Sequence, residues 1–316
     1  FIVAAMKYAS LSRIIYKVLS NEEIIDMYYN LATQITKLEE HNSNNYLLSM
    51  DRIYDGYYSI KILGAGSFGA AYLAIDSKTG KRVVIKKIKK TTGKELEEYK
   101  SMVELHGECS YYFTCVMDYH DENEYLYIVM EYNKDYVPLA DCMSTIKKSF
   151  DENRSSDFVI ISNIIRNMCE GVKYMHSRGI AHNDIKPDNV MVNLEDGNVK
   201  FIDFGLSYFK EECKIPIGGS VGCTLNYYDP QQYARLGKTD IPAADRVLSD
   251  IWAVGITIYE MVIGRVPLDL LFQNNMDRYF NEYSYDKDPN RQYIASKLAM
   301  LPGGVSLGRI LINRMI

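Results

Sequence analysis

Residues 182–189 read HNDIKPDN. Two acids (Asp184, Asp188), a lysine (Lys186) and two asparagines (Asn183, Asn189) share one turn-prone octet that Pro187 interrupts. Proline removes a backbone donor and keeps the stretch out of a helix interior or a central strand. So many ionisable and hydrogen-bonding groups in one short loop are unlike ordinary core or a plain solvated face. A further acid, Asp203, follows within IDFG (202–205).

The surrounding chain has 316 residues, 47% apolar and 24% charged, with a net charge of −5. That is the balance of a globular protein with room for one large domain or two lobes. The net charge gives no basic surface, so no nucleic-acid partner is expected. No apolar run reaches the ~20 residues that span a bilayer, so no membrane association is expected. The opening FIVAAMKYASLSRIIYKVLS is interrupted by Lys7, Arg13 and Lys17 at helical spacing, and reads as an amphipathic helix rather than a secretory signal. It begins with Phe1 rather than Met, as expected if the true start lies upstream. The six cysteines show no CxxC spacing, which favours buried or free thiols over a disulfide frame or metal site and points to a cytoplasmic setting.

Residues 1–50 are read as a helical extension. Ser20-Asn21-Glu22-Glu23 fits a capping box, and Ile24, Tyr28, Leu31, Ile35 and Leu38 line one helix face. That face either packs on the main domain or receives a regulatory partner. The polar HNSNN (41–45) reads as a linker. From Tyr57 the residues alternate apolar and polar around turn signals, with Ser77-Lys78-Thr79-Gly80 as a hairpin turn, giving three antiparallel strands. Residues 93–106 are rich in helix formers, and 111–132 return to strand character. Beyond residue 155 helices dominate, above all in FVIISNIIRNMCEGVKYMH (158–176) and VLSDIWAVGITIYEMVIG (247–264). A small β-rich lobe therefore precedes a larger helical one, an α+β class.

GAGSFG (64–69) has the GxGxxG spacing. Dinucleotide-binding folds use it too, but there a helix must follow, and here AAYLAID follows with strand-like alternation. No Gly-Lys-Ser/Thr follows either, which excludes a Walker loop. Two readings remain: a glycine-rich turn without a ligand, or a hairpin folded over nucleotide phosphates, with backbone N–H groups brought close to anionic oxygens. Lys86 lies in VVIK (83–86) among Val83, Val84 and Ile85. A lysine in an apolar strand needs an anion. A nucleotide phosphate and a carboxylate from the following helix would supply two; Glu98 is the choice there, since Met102 and Leu105 share its face, with Glu97 or Glu95 as alternatives.

With Lys86, HNDIKPDN and IDFG in this order, the chain resembles the protein kinases, whose H-R-D-x-x-x-x-N loop and D-F-G motif carry out phosphoryl transfer. The resemblance spans roughly residues 57–270. It implies a bilobal fold, with an N-lobe and hinge over 51–133 and a C-lobe over 134–316. It implies ATP as co-substrate with Mg²⁺ or Mn²⁺. Asp184 would accept the proton of the substrate hydroxyl, Lys186 would reach the γ-phosphate, and Asn189 and Asp203 would hold the metal. Lys86 and Glu98 would form the supporting ion pair, and Phe204 would pack beneath the helix carrying Glu98. Gly64, Ala65, Gly66, Ser67, Phe68 and Gly69 would cover the phosphates. Met130 would be the gatekeeper, Glu131 to Asn133 the hinge, and Ala71, Val84 and Met191 the purine-binding surfaces. Ala71 stands where Val is usual and Val84 where Ala is usual, which implies a reshaped pocket.

Lys186, two residues after Asp184, resembles the serine/threonine class, as does CTLNYYDPQ (223–231) with Thr224 placed to contact the catalytic acid. Protein Ser/Thr hydroxyls are thus the implied substrates. Two positions depart. Asn183 replaces the Arg that a phosphorylated activation segment neutralises in many kinases, so activity independent of phosphorylation over 207–224 is expected. Gln231 replaces the Glu of Ala-Pro-Glu, so its usual ion pair with a late Arg is not expected. Asp250, in SDIWAVGITIYEM (249–261), is expected to hydrogen-bond the catalytic-loop backbone. The stretch from Asp269 matches the family poorly, which implies an atypical or truncated lobe. The rich Tyr, Ile and Asn content suggests a viral or protist source. A pseudokinase and a small-molecule phosphotransferase of the same fold are the alternatives; retained Lys86, Asp184, Asn189 and Asp203 weigh against the first, the CTLNYYDPQ segment against the second.

Overall fold

The computed structural model describes residues 52–54, 56–66, 69–90, 111–204, 208–209, 225–230 and 243–303. The expected helices over 1–40 and 93–106, Glu98 and its alternatives, Ser67, Phe68, Ser207, Ser220, Thr224 and Gln231 lie outside them.

Eleven strands and six α-helices are described. The first strands are β1 (Arg52–Tyr54), β2 (Tyr57–Gly66), β3 (Gly69–Asp76), β4 (Arg82–Lys89), β5 (Val116–Asp121) and β6 (Tyr125–Glu131). Their sheet has the order β1-β2-β3-β4-β6-β5. β1 pairs with β2, and β5 with β6, antiparallel. The expected turn after β3 is present. Asp76 Oδ1 accepts from the Lys78 N–H at 2.9 Å, Oδ2 accepts from the Thr79 hydroxyl at 2.6 Å, and the Gly80 N–H donates to the Asp76 carbonyl at 2.7 Å. An aspartate at this position stabilises the turn by binding its own backbone two residues on.

Two compact units are distinguished by their internal contacts: residues 1–62 with 72–83, and residues 63–71 with 84–316. In the first, Leu73, Ala74, Ile75 and Val83 are buried. The second holds the glycine-rich stretch, most of β4 and all the described helices. There β7 (Val137–Pro138) leads into α1 (Leu139–Asp151), which the sequence reading did not anticipate; α2 (Phe158–Ser177), β8 (Ile180–Ala181), β9 (Val190–Val192), β10 (Val199–Phe201) and β11 (Tyr208–Phe209) follow. The chain then forms α3 (Ala243–Ile263), α4 (Pro267–Phe272), α5 (Met276–Glu282) and α6 (Arg291–Ala299). One small sheet has the order β10-β9-β7, and β11 pairs with β8.

α2 shows how the sequence builds this unit. Phe158, Ile161, Ile165, Met168, Val172 and Met175 recur at steps of three and four, and all are buried. Each such side chain contributes about 1.5–3 kcal/mol on burial. α3 is different: Ala253, Val254, Ile256, Thr257, Ile258, Tyr259, Met261 and Val262 are buried in near succession, the pattern of a helix enclosed on all sides. Gly171 lets α2 approach β10, because a Cβ there would lie 2.7 Å from a Phe201 ring carbon. β10 is thereby set against α2, two residues before Asp203. Among the described residues no helix is long and apolar enough to cross a membrane. Cys142 and Cys169 are free thiols as expected, but Cys115 is disulfide-bonded, against the expectation from spacing.

Candidate active site

The octet 182–189 links β8 to β9. Its backbone is fixed from below by Asp250, which is 1% exposed on α3. Asp250 Oδ1 accepts the Asn183 N–H and Oδ2 the His182 N–H, each at 2.8 Å. His176 Nε2, at the end of α2, contacts Oδ2 at 2.8 Å. The predicted contact of Asp250 with the loop backbone is present. Asn183 has φ 61°, in the left-handed region that asparagine tolerates better than most residues.

His182 lies beneath the loop. Its Nε2 is 3.1 Å from the Ile202 carbonyl and its Nδ1 is 3.3 Å from the Asp184 N–H. This pattern suits the neutral tautomer that carries its proton on Nε2. The ring packs on Phe204 at 4.9 Å between centroids. Phe204 is fully buried and also meets Phe113 at 6.0 Å. Its expected packing beneath the helix of Glu98 lies outside the described residues.

The loop brings three of the predicted residues together. Lys186 Nζ donates to Asp184 Oδ2 at 2.8 Å. Asn189 Nδ2 donates to the same oxygen at 2.9 Å and to the Asp184 carbonyl at 2.8 Å. With its NH₂ turned onto Asp184, Asn189 keeps its amide oxygen for another partner. The Ile202 N–H donates to the Asn189 carbonyl at 3.0 Å, tying the octet to the strand end that carries Asp203. Asp203 has φ 64°, an uncommon backbone state for a non-glycine residue and one that clusters at functional sites.

Lys86, only 9% exposed, donates from Nζ to Asp203 Oδ1 at 2.7 Å. The apolar strand β4 thus carries its lysine to an acid, as its surroundings required. Within the glycine-rich stretch, Gly64 to Gly66 end β2 and Gly69 begins β3, so strands flank it as the sequence suggested, with residues 67–68 outside the described ones. Gly69 has φ 138°, and a Cβ there would collide with the Lys87 carbonyl oxygen, so only glycine fits. A Cβ on Gly64 would meet no protein atom within 4 Å. Ala65 and Gly66 lie on β2, and Ala71 on β3. Val84 packs on the hydrophobic core that contains Met130, and Met191 lies on β9 opposite Lys200 and Pro138.

The end of β6, where the hinge was expected, adds a pair that the sequence reading missed. Lys200 on β10, 4% exposed, donates from Nζ to Glu131 Oε1 at 2.9 Å and to the Phe113 carbonyl at 3.1 Å. The Glu131 N–H donates to the Cys115 carbonyl at 2.9 Å, and Glu131 Oε1 accepts the Cys115 N–H at 3.1 Å. The Glu131 side chain therefore braces the start of residues 131–133 against Cys115 and Lys200, and Asn133 gives its carbonyl to the Tyr136 N–H at 3.2 Å. The signal was legible: Lys200 sits between Val199 and Phe201, the same apolar setting that marked Lys86.

Oxygen donors suit a hard divalent cation, which commonly takes one or two carboxylates from the protein and the rest from phosphates and water. Asp203 and the amide oxygen of Asn189, whose NH₂ is engaged by Asp184, fit that set. Among the described residues no group of three or more His, Cys, Asp or Glu is clustered for a metal.

Known proteins point the same way. Residues 57–301 match the protein kinase domain. A probable serine/threonine-protein kinase of Dictyostelium discoideum is 29% identical over 77% of this chain and 54% of its own length. The serine/threonine-protein kinase ksp1 of Schizosaccharomyces pombe is 30% identical over 73% of this chain and 48% of its own. Mitogen-activated protein kinase kinase kinase 5 of Homo sapiens is 28% identical over 72% of this chain and 16% of its own. The chain spans about half the length of the first two. By its matched domain, which covers most of its length, the chain belongs to the protein kinase family.

Proposed function

We propose that the protein transfers the γ-phosphoryl group of ATP to serine and threonine hydroxyls of proteins. The observation that carries this reading is the cluster of Asp184, Lys186 and Asn189, joined through Ile202 to an Asp203 already paired with Lys86. Asp184 accepts the proton of the attacking hydroxyl. Lys186 and Lys86 set positive charge beside the phosphates, where the transition state spreads negative charge over oxygens. Asn189 and Asp203 hold Mg²⁺ or Mn²⁺, which when bound neutralises phosphate charge. Gly64 to Gly69 cover the phosphates, and Ala71, Val84, Met130, the hinge from Glu131 to Asn133, and Met191 take the purine. The names of the relatives support the serine/threonine class.

The test uses labelled ATP, Mg²⁺ and a generic basic protein, with the label located on Ser or Thr. No transfer by folded, ATP-binding protein would reject the reading. Asp203→Asn is the sharpest variant, because asparagine accepts the left-handed backbone of this position while losing the carboxylate charge. It abolishes transfer while the protein still folds, with a lowered melting temperature because the buried Lys86 loses the carboxylate charge it pairs with; wild-type rates would refute the metal assignment.

The same reading includes activity without phosphorylation of residues 207–224. Asn183 carries no guanidinium for a phosphate to neutralise, and its loop is already fixed by Asp250. Ser207→Ala and Ser220→Ala therefore retain activity, and a large loss in either counts against this part.

A further inference from the structure

Residue 229 is the first of the three positions of DPQ, where the family resemblance leads to Ala. An aspartate is a demanding replacement at a site only 9% exposed, since a carboxylate removed from water needs hydrogen-bond donors. One is supplied by α3: Ser249 Oγ, itself buried, donates to Asp229 Oδ2 at 3.1 Å. Ser249 immediately precedes Asp250, which secures the catalytic-loop backbone. Two residues before Asp229, the Tyr227 hydroxyl donates to Glu260 Oε2 at 2.5 Å, also on α3. Segment 225–230 is thus fixed to one helix at two points about 16 Å apart along its axis. Within it the Tyr228 N–H donates to the Leu225 carbonyl at 3.1 Å. Burial raises the Tyr227 hydroxyl pKa most, then Glu260, and then the charge of Asp188, the neighbour of Asn189.

We propose that Asp229 is a positioning residue for the protein substrate. Through Ser249 it holds segment 225–230, which on the kinase resemblance is the platform for the substrate chain, in register with the loop 182–189 that Asp250 secures one residue further along α3. The role rests on the protein kinase reading above. It also supplies an anchor in the very segment where Gln231 has replaced the usual Glu.

Three variants separate the outcomes. Asp229→Ala introduces the family's usual residue and removes the acceptor, Ser249→Ala removes the donor, and Asp229→Asn keeps an acceptor oxygen. KM is measured separately for a basic protein substrate and for ATP, and amide hydrogen exchange over 225–230 is followed without either. Asp229→Ala raises the protein KM about tenfold, the scale of one lost buried hydrogen bond, while the ATP KM stays within about twofold. Exchange of the Tyr228 N–H quickens in the same variant. Asp229→Asn stays near wild type in both readouts. Ser249→Ala moves in the same direction as Asp229→Ala, and the double variant adds little to Asp229→Ala, because the contact that Ser249→Ala removes is among those already lost with the Asp229 carboxylate. An ATP KM rising in step with the protein KM would reduce Asp229 to general stability and overturn the proposal, as would unaltered exchange over 225–230. Exchange needs no phosphoryl transfer, so an inactive protein would reject the kinase reading while exchange still decides the role of Asp229.

Discussion

Asp250→Ala is the perturbation whose cost follows most directly from the geometry. Its carboxylate accepts two backbone N–H groups, from His182 and Asn183, and meets His176 Nε2, all at 2.8 Å. His182 is fully buried and Asn183 half-buried. A buried donor left without an acceptor costs about 1–3 kcal/mol. The His182 N–H lies at the upper part of that range and the partly solvated Asn183 N–H at the lower, so Asp250→Ala loses about 3–5 kcal/mol. Against a typical total of about 5–15 kcal/mol that is a large share. Asp250→Asn separates the two bonds. Its oxygen can keep the Asn183 N–H, while its NH₂ faces the His182 N–H and orphans it, for about half the loss. Urea unfolding with linear extrapolation measures both variants. Transfer kinetics add a second readout: Asp184 is two residues from His182, and a shift of about 1 Å in a catalytic group can cost about 100-fold. The fall therefore appears in kcat more than in KM for ATP. If Asp250→Ala unfolds within about 0.5 kcal/mol of wild type, or Asp250→Asn is the more damaging of the two, the assignment of these bonds as the support of the loop is wrong.

Gly171→Ala forces a Cβ to 2.7 Å from the buried Phe201 ring, so it destabilises by about 1–3 kcal/mol despite alanine's better helix propensity; calorimetry showing equal or greater stability would refute the close approach. Glu260 has its pKa raised, by burial first and by Asp188 after it, with the Tyr227 hydrogen bond opposing. A raised carboxyl gives stability that is full below its unfolded value, about 4.3, and is lost as pH rises through the folded value. Glu260→Gln keeps an acceptor for Tyr227 and removes that loss, so its melting temperature relative to wild type climbs as pH rises through that window; a flat difference would contradict it. Burial pushes the Cys169 thiol up to about 11, and burial also raises Cys142. Neither is alkylated at pH 8 in the folded protein, whereas both are in urea, as peptide mapping would establish.

Much of the catalytic apparatus was legible because its chemistry is local. The octet 182–189 carries its acid, lysine and amide within six residues, so one turn of chain brings Lys186 and Asn189 onto Asp184. Lys86 announced its need for an anion by lying in an apolar strand. α2 announced itself by steps of three and four. α1 carries the same spacing, with Leu139, Cys142, Ile146 and Phe150 at steps of three, four and four, but more weakly: it follows Pro138, has no capping side chain, and interleaves Cys, Met, Ser, Thr and Lys, so its buried face became plain only in the structure.

The sequence alone determined the residue types, their order, and the local loops and periodicities in which they sit, because those depend on neighbours a few positions apart. Tertiary structure decided the pairings between distant residues. Lys86 meets Asp203 across 117 positions, Lys200 meets Glu131 across 69, and Asp250 reaches back 67 and 68 to the loop. A buried charge or N–H must find a partner, but spacing along the chain does not say which. Packing selects that partner, and here it makes α3 the common support of the catalytic loop and, through Asp229 and Tyr227, of segment 225–230.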